Sequence, residues 1–238
     1  MLAHDRAASR VAAAHERAVT VFARDGATVA SFSDHPSTVT GVAFSPDGTR
    51  LATSHYNGLS LWSLSSLAKP ERLTWAGSMT GVSWSPDGRF VIAQTQEREL
   101  HAWDLETGRD YRLGGYQRKV HQIAWSFDSA WLLTSGADML VAWPFTSDPG
   151  SVPPREIGYA DRAHVTAVAP LSRSEQMVAG FSYGQILVGE ATKGTAKIAR
   201  APTGAAITCI AVDLGKDVIL FGTRDGKVGK ITVKSGSV

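Results

Sequence analysis

Apolar and polar residues alternate along short runs that recur through the chain: VTGVAF from Val39, MTGVSW from Met79, VHQIAW from Val120, VTAVAP from Val165 and ITCIAV from Ile207. Period-two alternation broken by turn residues is what half-buried strands require, and helical periodicity is absent. The runs start 40, 41, 45 and 42 residues apart. Further upstream, Arg10-Val11-Ala12-Ala13-Ala14-His15 matches Arg50-Leu51-Ala52-Thr53-Ser54-His55, and Val19 to Phe22 matches Leu59 to Trp62, both at an offset of 40. The Ala- and Arg-rich start is therefore part of a repeat rather than a targeting segment. Asp5 and Glu16 spoil a transit pattern, and no apolar run is long enough for a signal or a membrane span. A period of about 40 to 45 residues is the spacing of a four-stranded propeller blade.

Within one repeat, Val39 to Phe44 predicts a strand, Ser45-Pro46-Asp47-Gly48 a turn, Leu51 to Thr53 and Leu59 to Trp62 two more strands, and Arg72 to Trp75 a fourth. Pro46 presets φ, Asp47 can bond its own backbone, and Gly48 tolerates positive φ. The turn recurs as Ser85-Pro86-Asp87-Gly88 and decays to Ser126-Phe127-Asp128-Ser129, then to Leu171-Ser172-Arg173-Ser174.

Composition sharpens this picture. With 43% hydrophobic and 19% charged residues in 238, the chain has material for a core, and 23 Gly, 10 Pro and 7 Trp favour turns and aromatic strands over a helical bundle. The 24 basic and 22 acidic residues are scattered, leaving a net +2, so charge gives no reason to expect nucleic acid as a partner. Neither a membrane partner nor a cofactor is expected. Cys209 stands alone in an apolar run and reads as a buried strand thiol; without a disulfide framework or secretory signal, a cytoplasmic location is the expectation.

An SPDG turn followed by a small-residue strand, a turn, and a strand ending in Trp resembles the WD-repeat β-propeller family, with uncharacterised bacterial members as the nearest look-alikes. Trp103-Asp104 is an intact WD dipeptide, Trp62-Ser63 and Trp143-Pro144 keep only the Trp, and Gly189 and Ile231 stand near the equivalent position in the last two repeats. The resemblance covers almost the whole chain and implies an all-β propeller, a single domain over 1–238 with repeat units starting near 10, 39, 79, 120, 165 and 207. It also implies a buried hydrogen-bonded set of His35, Thr53, Asn57 and Trp62, with Asn57 in place of the usual Asp, and structural roles for Trp103, Asp104 and Trp143. Counting strands gives about five and a half four-stranded blades: two strands over about 10–22, four full blades, and a three-stranded end. The incomplete start, which lacks an innermost strand, and the incomplete end favour a seven-bladed parent lacking its N-terminal blade; six blades sharing strands at a seam, or another chain covering unpaired edges, are the alternatives.

Candidate chemistry is sparse. Gly180-Phe181-Ser182-Tyr183-Gly184 matches a hydrolase nucleophile elbow, but strands are expected on both sides where the elbow needs a strand-to-helix turn. His15 and His55 share a repeat position, and equivalent points on packed sheets lie roughly 10 Å apart, too far for one metal ion. His101 and His121 read as polar side chains on strand surfaces, His164 as a loop residue or a drifted counterpart of His35, and Gln96-Glu97-Arg98-Glu99 as a solvated turn. No catalytic, cofactor or metal residue is assigned. The resemblance places the loops entering the innermost strands and those between the second and third strands on one face, where relatives bind partners. Those loops carry His35, Pro36, Tyr56, Trp75, Gln96, Tyr116, Arg118, Lys119, Arg162, Tyr183 and Arg224, a mixture of aromatics and Arg typical of interface hot spots. The expected function is a non-catalytic scaffold for a protein or peptide. A propeller enzyme of hydrolase or lyase type, or a small-molecule or metal-handling accessory protein, is the alternative.

Overall fold

In a computed structural model, describing residues 1–5, 9–66, 68–146, 148–171, 175–213, 215 and 218–233, the alternating runs become antiparallel strands, with no helix among those residues. The chain divides into two units, Met1–Gly115 and Tyr116–Val238.

In the first unit, β1 (Leu2–Asp5), β2 (Arg10–His15), β3 (Ala18–Phe22) and β4 (Thr28–Phe32) pair in chain order as one four-stranded sheet. The next six strands are β5 (Gly41–Phe44), β6 (Arg50–Ser63), β7 (Glu71–Trp84), β8 (Phe90–Thr95), β9 (Leu100–Asp104) and β10 (Asp110–Leu113), hydrogen-bonded in one continuous series. Two blades are merged in that series. Straight strand would part Thr53 and Ser60 by about 23 Å, yet Thr53 Oγ1 donates to the Ser60 carbonyl at 3.3 Å and Leu64 N to the Thr49 carbonyl at 2.9 Å. So β6 doubles back on itself, at Asn57 (φ 66°) and Gly58 (φ 133°). The long β7 leaves one blade and enters the next: its first half pairs with β6, and Met79–Trp84 pairs with β8.

The second unit holds a sheet of β11 (Ile123–Trp125), β12 (Trp131–Thr134), β13 (Met139–Pro144) and β14 (Arg155–Tyr159). It is followed by a sheet of β15 (Val165–Pro170), β16 (Gln176–Phe181), β17 (Ile186–Glu190) and β18 (Thr195–Arg200). A three-stranded sheet of β19 (Ile207–Asp213), β20 (Val218–Thr223) and β21 (Val228–Thr232) ends the series. We number the sheets blades I to VI.

Five blades thus have four strands, and the expected half-blade at the start is corrected. Leu2–Asp5 pairs with β2 as an inner strand, and Thr28–Phe32 completes the sheet. Of the two grounds for a seven-bladed parent, the incomplete start is removed and the three-stranded end remains. The expected turn at Leu171-Ser172-Arg173-Ser174 falls on 172–174, outside the described residues.

The recurring turn works through Ser and Asp. Ser45 Oγ donates to Asp47 Oδ1 (2.5 Å) and accepts from Arg50 N (2.9 Å), while Thr49 N donates to Asp47 Oδ1 (3.0 Å). These bonds hold the Asp47 carboxyl down to about 2, the Ser45 hydroxyl contributing most. Ser85 with Asp87 and Ser126 with Asp128 repeat the arrangement. Phe127 therefore replaces proline without loss of the turn, and Ser129 takes the glycine position at φ 61°.

Sheet faces pack on one another through alternate residues. Val19, Val21 and Phe32 of blade I meet Leu51 and Trp62 of blade II, and Leu59 and Leu61 meet Met79, Trp84 and Trp103 of blade III. In the second unit, Leu133, Leu140 and Ile157 pack with Met177, Ala179 and Phe181, and Val178, Ile186 and Val188 with Ile207, Ile219 and Phe221. Gly189 stands where earlier blades have Trp, and its space is filled from blade IV: an added Cβ would lie 2.8 Å from Ile157 Cγ2. Polar staples join neighbouring inner strands, Thr40 Oγ1 donating to the Met79 carbonyl (2.8 Å) and Thr166 Oγ1 to the Ile207 carbonyl (2.6 Å). At another repeated position, the Arg10 guanidinium lies over Phe44 (5.5 Å) and that of Arg50 over Trp84 (4.9 Å).

The two SPDG glycines differ in surroundings. A Cβ at Gly48 (φ 68°) would lie 2.8 Å from Arg10 Nη2, which binds Asp5 at 2.5 Å, whereas at Gly88 (φ 77°) it would meet only Pro46 Cδ at 3.7 Å. Gly88→Ala is expected to cost about 1–2 kcal/mol of left-handed backbone strain. Gly48→Ala adds disruption of a charged hydrogen bond, worth about 1.5–3 kcal/mol. Urea unfolding of both variants checks this, and equal losses would remove the Arg10–Asp5 contact from the account.

Candidate functional site

His35 comes to lie under blade II because its backbone enters β5 from the outer strand of blade I. Its Nδ1 donates to the Arg17 carbonyl (2.8 Å), which leaves Nε2 as the acceptor for Trp62 Nε1 (3.1 Å), with Thr53 Oγ1 also at 3.1 Å. Arg17 returns the bond, its Nη2 donating to the His35 carbonyl at 2.6 Å. Burial is the main reason the ring's pKa falls below its ordinary value. Three members of the expected set are thus together, and Asn57 is corrected out of it: its Oδ1 accepts from Gly77 N (3.0 Å), at the turn that its positive φ makes.

The same set recurs in blade IV with a different head group. Tyr116 is 18 residues before Thr134 and 27 before Trp143, the spacings of His35 to Thr53 and Trp62. Its hydroxyl donates to Thr134 Oγ1 (2.9 Å) and accepts from Trp143 Nε1 (2.6 Å), and burial pushes the phenol up to about 12. Tyr116 was expected on the binding face; at 8% exposure it is instead a buried structural residue. In blade III, Trp75 holds the corresponding place, half-buried and stacked on the buried His101 ring at 3.8 Å, with Trp103 edge-on to that ring at 4.5 Å. His101 is therefore enclosed rather than on a strand surface; its Nε2 lies 3.3 Å from Asp110 Oδ2, off the line of a hydrogen bond. The signal for both reassignments was in the sequence: His35, Trp75 and Tyr116 each stand four residues before the repeat starts at Val39, Met79 and Val120. His164 is one residue before Val165, so it is a loop residue and not a shifted His35.

Asp104 of the intact WD pair anchors the next turn. Its carboxylate accepts from Arg89 (2.7 and 3.2 Å) and from Glu106 N (2.9 Å); burial raises its pKa, and these bonds outweigh burial to hold it near about 2. Glu99 is also corrected from a solvated turn residue, being buried and paired with Arg112 at 2.5 Å, while Glu97 and Arg98 are exposed. Both nitrogens of His55 are engaged, by the Tyr56 carbonyl (2.8 Å) and Ser60 Oγ (2.7 Å). Ser182 sits between β16 and β17, in a turn from strand to strand, and its Oγ accepts from His164 N at 3.1 Å. Cys209, expected in the core, is exposed.

The loops expected on one face are tied in pairs by backbone hydrogen bonds across 18 residues. Gln96 N donates to the Ser78 carbonyl (2.8 Å), Arg118 N to Gly136 (3.0 Å), Ser182 N to His164 (2.9 Å) and Arg224 N to Ala206 (2.8 Å). In blade II, Tyr56 N donates to Ser37 Oγ (2.8 Å). These bonds satisfy loop backbone and leave side chains outward: Tyr56 and Tyr183 are more than half exposed, and Arg118, Arg162 and Arg224 are exposed, with Lys119 half-buried. Tyr56, Pro36, His55 and Arg72 line a groove of about 440 Å³ in the first unit. Arg224 and Ser182 line one of about 350 Å³ in the second. Among the described residues, no three His, Cys, Asp or Glu side chains gather where a metal could sit.

Four-stranded sheets in series, each begun by an inner strand and two of them carrying a Trp-anchored polar set, define a β-propeller built from sequence repeats. The WD40 family model (WD domain, G-beta repeat) matches residues 14–63 and 109–142. Among solved structures, a chain of "Crystal Structure of Mitotic Checkpoint Complex" shares the fold, with a TM-score of 0.75, 22% identity, and coverage of 99% of this chain and 76% of that one. No curated protein matches in sequence. The chain thus has the propeller fold and carries WD40 repeats over the matched residues.

Two outcomes are expected. Tyr116→Phe leaves the buried Trp143 N–H without its acceptor and costs about 1–3 kcal/mol in urea unfolding, whereas the exposed Tyr183→Phe stays within about 0.5 kcal/mol of wild type; equal stabilities would remove the blade IV set. Burial lowers the pKa of His35, His55 and His101 below 6.5, so each favours the folded state when neutral. Stability is therefore full above pH 6.5 and falls as pH drops through the folded values, while Asp47 and Asp104 stay ionised until about 2. A pH series of unfolding midpoints should fall below pH 6.5, less steeply in His101→Phe; a flat profile to pH 5 contradicts it.

Proposed function

We propose that the chain is a non-catalytic interaction platform, a single propeller domain of the cytoplasm whose tied loops present side chains to a protein or peptide. The observation that carries this reading is the 18-residue backbone tie. It fixes two loops of a blade against each other and spends their backbone polarity internally, leaving Tyr56, Arg118, Arg162, Tyr183 and Arg224 outward on a rigid base. A protein partner is also in keeping with the multi-protein assembly named for the structural relative. The outer edge of β21 pairs with no strand among the described residues, so association through a blade edge belongs to the same reading. The enzyme alternative finds little support in the Ser182 turn, whose hydroxyl faces a backbone N–H rather than a base.

Affinity capture by wild type is to be compared with capture by an Arg162→Ala, Tyr183→Ala and Tyr56→Ala variant whose fold is confirmed by circular dichroism. A protein retained by wild type and lost from the variant supports the platform. Identical captured sets, or none, reject it.

A further inference from the structure

Three consecutive blades of the second unit present different side chains at their tied loop positions. Blade IV brings Arg118 with Gly136, blade V His164 with Ser182, and blade VI Ala206 with Arg224. Blade V is joined to its neighbours on both sides, by Val165 N to the Ala137 carbonyl (2.8 Å) and by Thr166 Oγ1 to the Ile207 carbonyl (2.6 Å). His164 and Ser182 are therefore a small, uncharged centre with one guanidinium on each side. Both arginines are exposed, and neither has an ion-pair partner among the described residues. The carboxylate nearest in sequence, Asp225, is held by Thr223 Oγ1 (2.5 Å) and Lys227 Nζ (2.9 Å). Ser182, Ala206 and Arg224 line a cavity of about 350 Å³ beside this centre.

The local field is positive. His164 is kept below its ordinary pKa first by partial burial and then by the charges of Arg118, Arg224 and His121. The whole chain is only +2, so this is a local concentration of charge and not a uniformly basic surface. Guanidinium groups take carboxylates through two parallel N–H···O bonds, which a flexible acidic side chain can reach.

We infer that the face over His164 and Ser182 binds a carboxylate-rich, unstructured peptide segment of a protein partner, pairing its acidic side chains with Arg118 on one side and Arg224 on the other. This rests on the interaction-platform reading and supplies its partner chemistry.

The test uses a fluorescein-labelled hexaglutamate peptide, followed by anisotropy at low and high salt, with hexaglutamine and an oligothymidylate of equal charge beside it. Hexaglutamate is expected to bind in a salt-sensitive manner and hexaglutamine not at all. Arg118→Gln and Arg224→Gln should each weaken binding about tenfold, the loss of one charged hydrogen-bonded contact. Arg155→Gln, on the exposed outer strand β14, should leave binding unchanged. In NMR titrations bound hexaglutamate should raise the pKa of His164, since it offsets the charges of Arg118, Arg224 and His121. Absent hexaglutamate binding, an equal loss in Arg155→Gln, tighter binding of oligothymidylate, or an unmoved His164 would each overturn the assignment. If the Arg118→Gln, Arg224→Gln double variant still captures the wild-type set of proteins, this site fails and the platform stands.

Discussion

A strand such as β9, whose five residues Leu100–Asp104 are all buried, can persist only with cover on both of its faces. The same holds for β17, Ile186–Glu190. Two-sided burial means that no blade is stable alone, and each becomes a template for the next. It also explains the economy of polar groups. Once indoles and small side chains fill the space between sheets, the indole N–H is buried and needs an acceptor, at a cost of about 1–3 kcal/mol if none is found. Trp62 and Trp143 meet that demand through His35 and Tyr116, and Trp84 through the Ala43 carbonyl.

The architecture was largely legible because strand alternation and turn chemistry both repeat. Ser45-Pro46-Asp47-Gly48 and its copies place reversals where the hydroxyl and carboxylate can bond the backbone, and those bonds are what the structure contains. Blade I was only half seen because its strands outside the match at Arg10 to Phe22 carry no SPDG or Trp signal: LAHD and TVASF are recognisable only by where they pair. Nor does sequence reveal that β7 serves two blades, since a strand that passes between sheets looks locally like any other.

Exposure was legible for the arginines and for Tyr56 and Tyr183, and not for Tyr116 and Trp75. Arg118, Arg162 and Arg224 are exposed as their type predicts, because a guanidinium is rarely buried without a partner. Tyr116 and Trp75 were placed on the face as typical hot-spot residues, although the same property, a large apolar body with one polar atom, also suits a buried joint. Spacing decides between the two uses. A residue four places before the repeat start is turned inward in blades II, III and IV, as His35, Trp75 and Tyr116 are, and one three places later sits in the loop, as His164 does.

That division of labour accounts for how far the repeats drift without loss of fold. The head position accepts an imidazole, an indole or a phenol because what it must supply is a flat ring and, where an indole N–H needs it, one acceptor. Gly189 goes further and removes the Trp altogether, with Ile157 from the preceding blade filling the space. Most loop side chains bear none of these duties: the ties of blades III, IV and VI involve only N–H and carbonyl groups, and Ser182 Oγ adds one bond in blade V. Residues such as Arg118 and Arg224 can therefore change with little structural penalty.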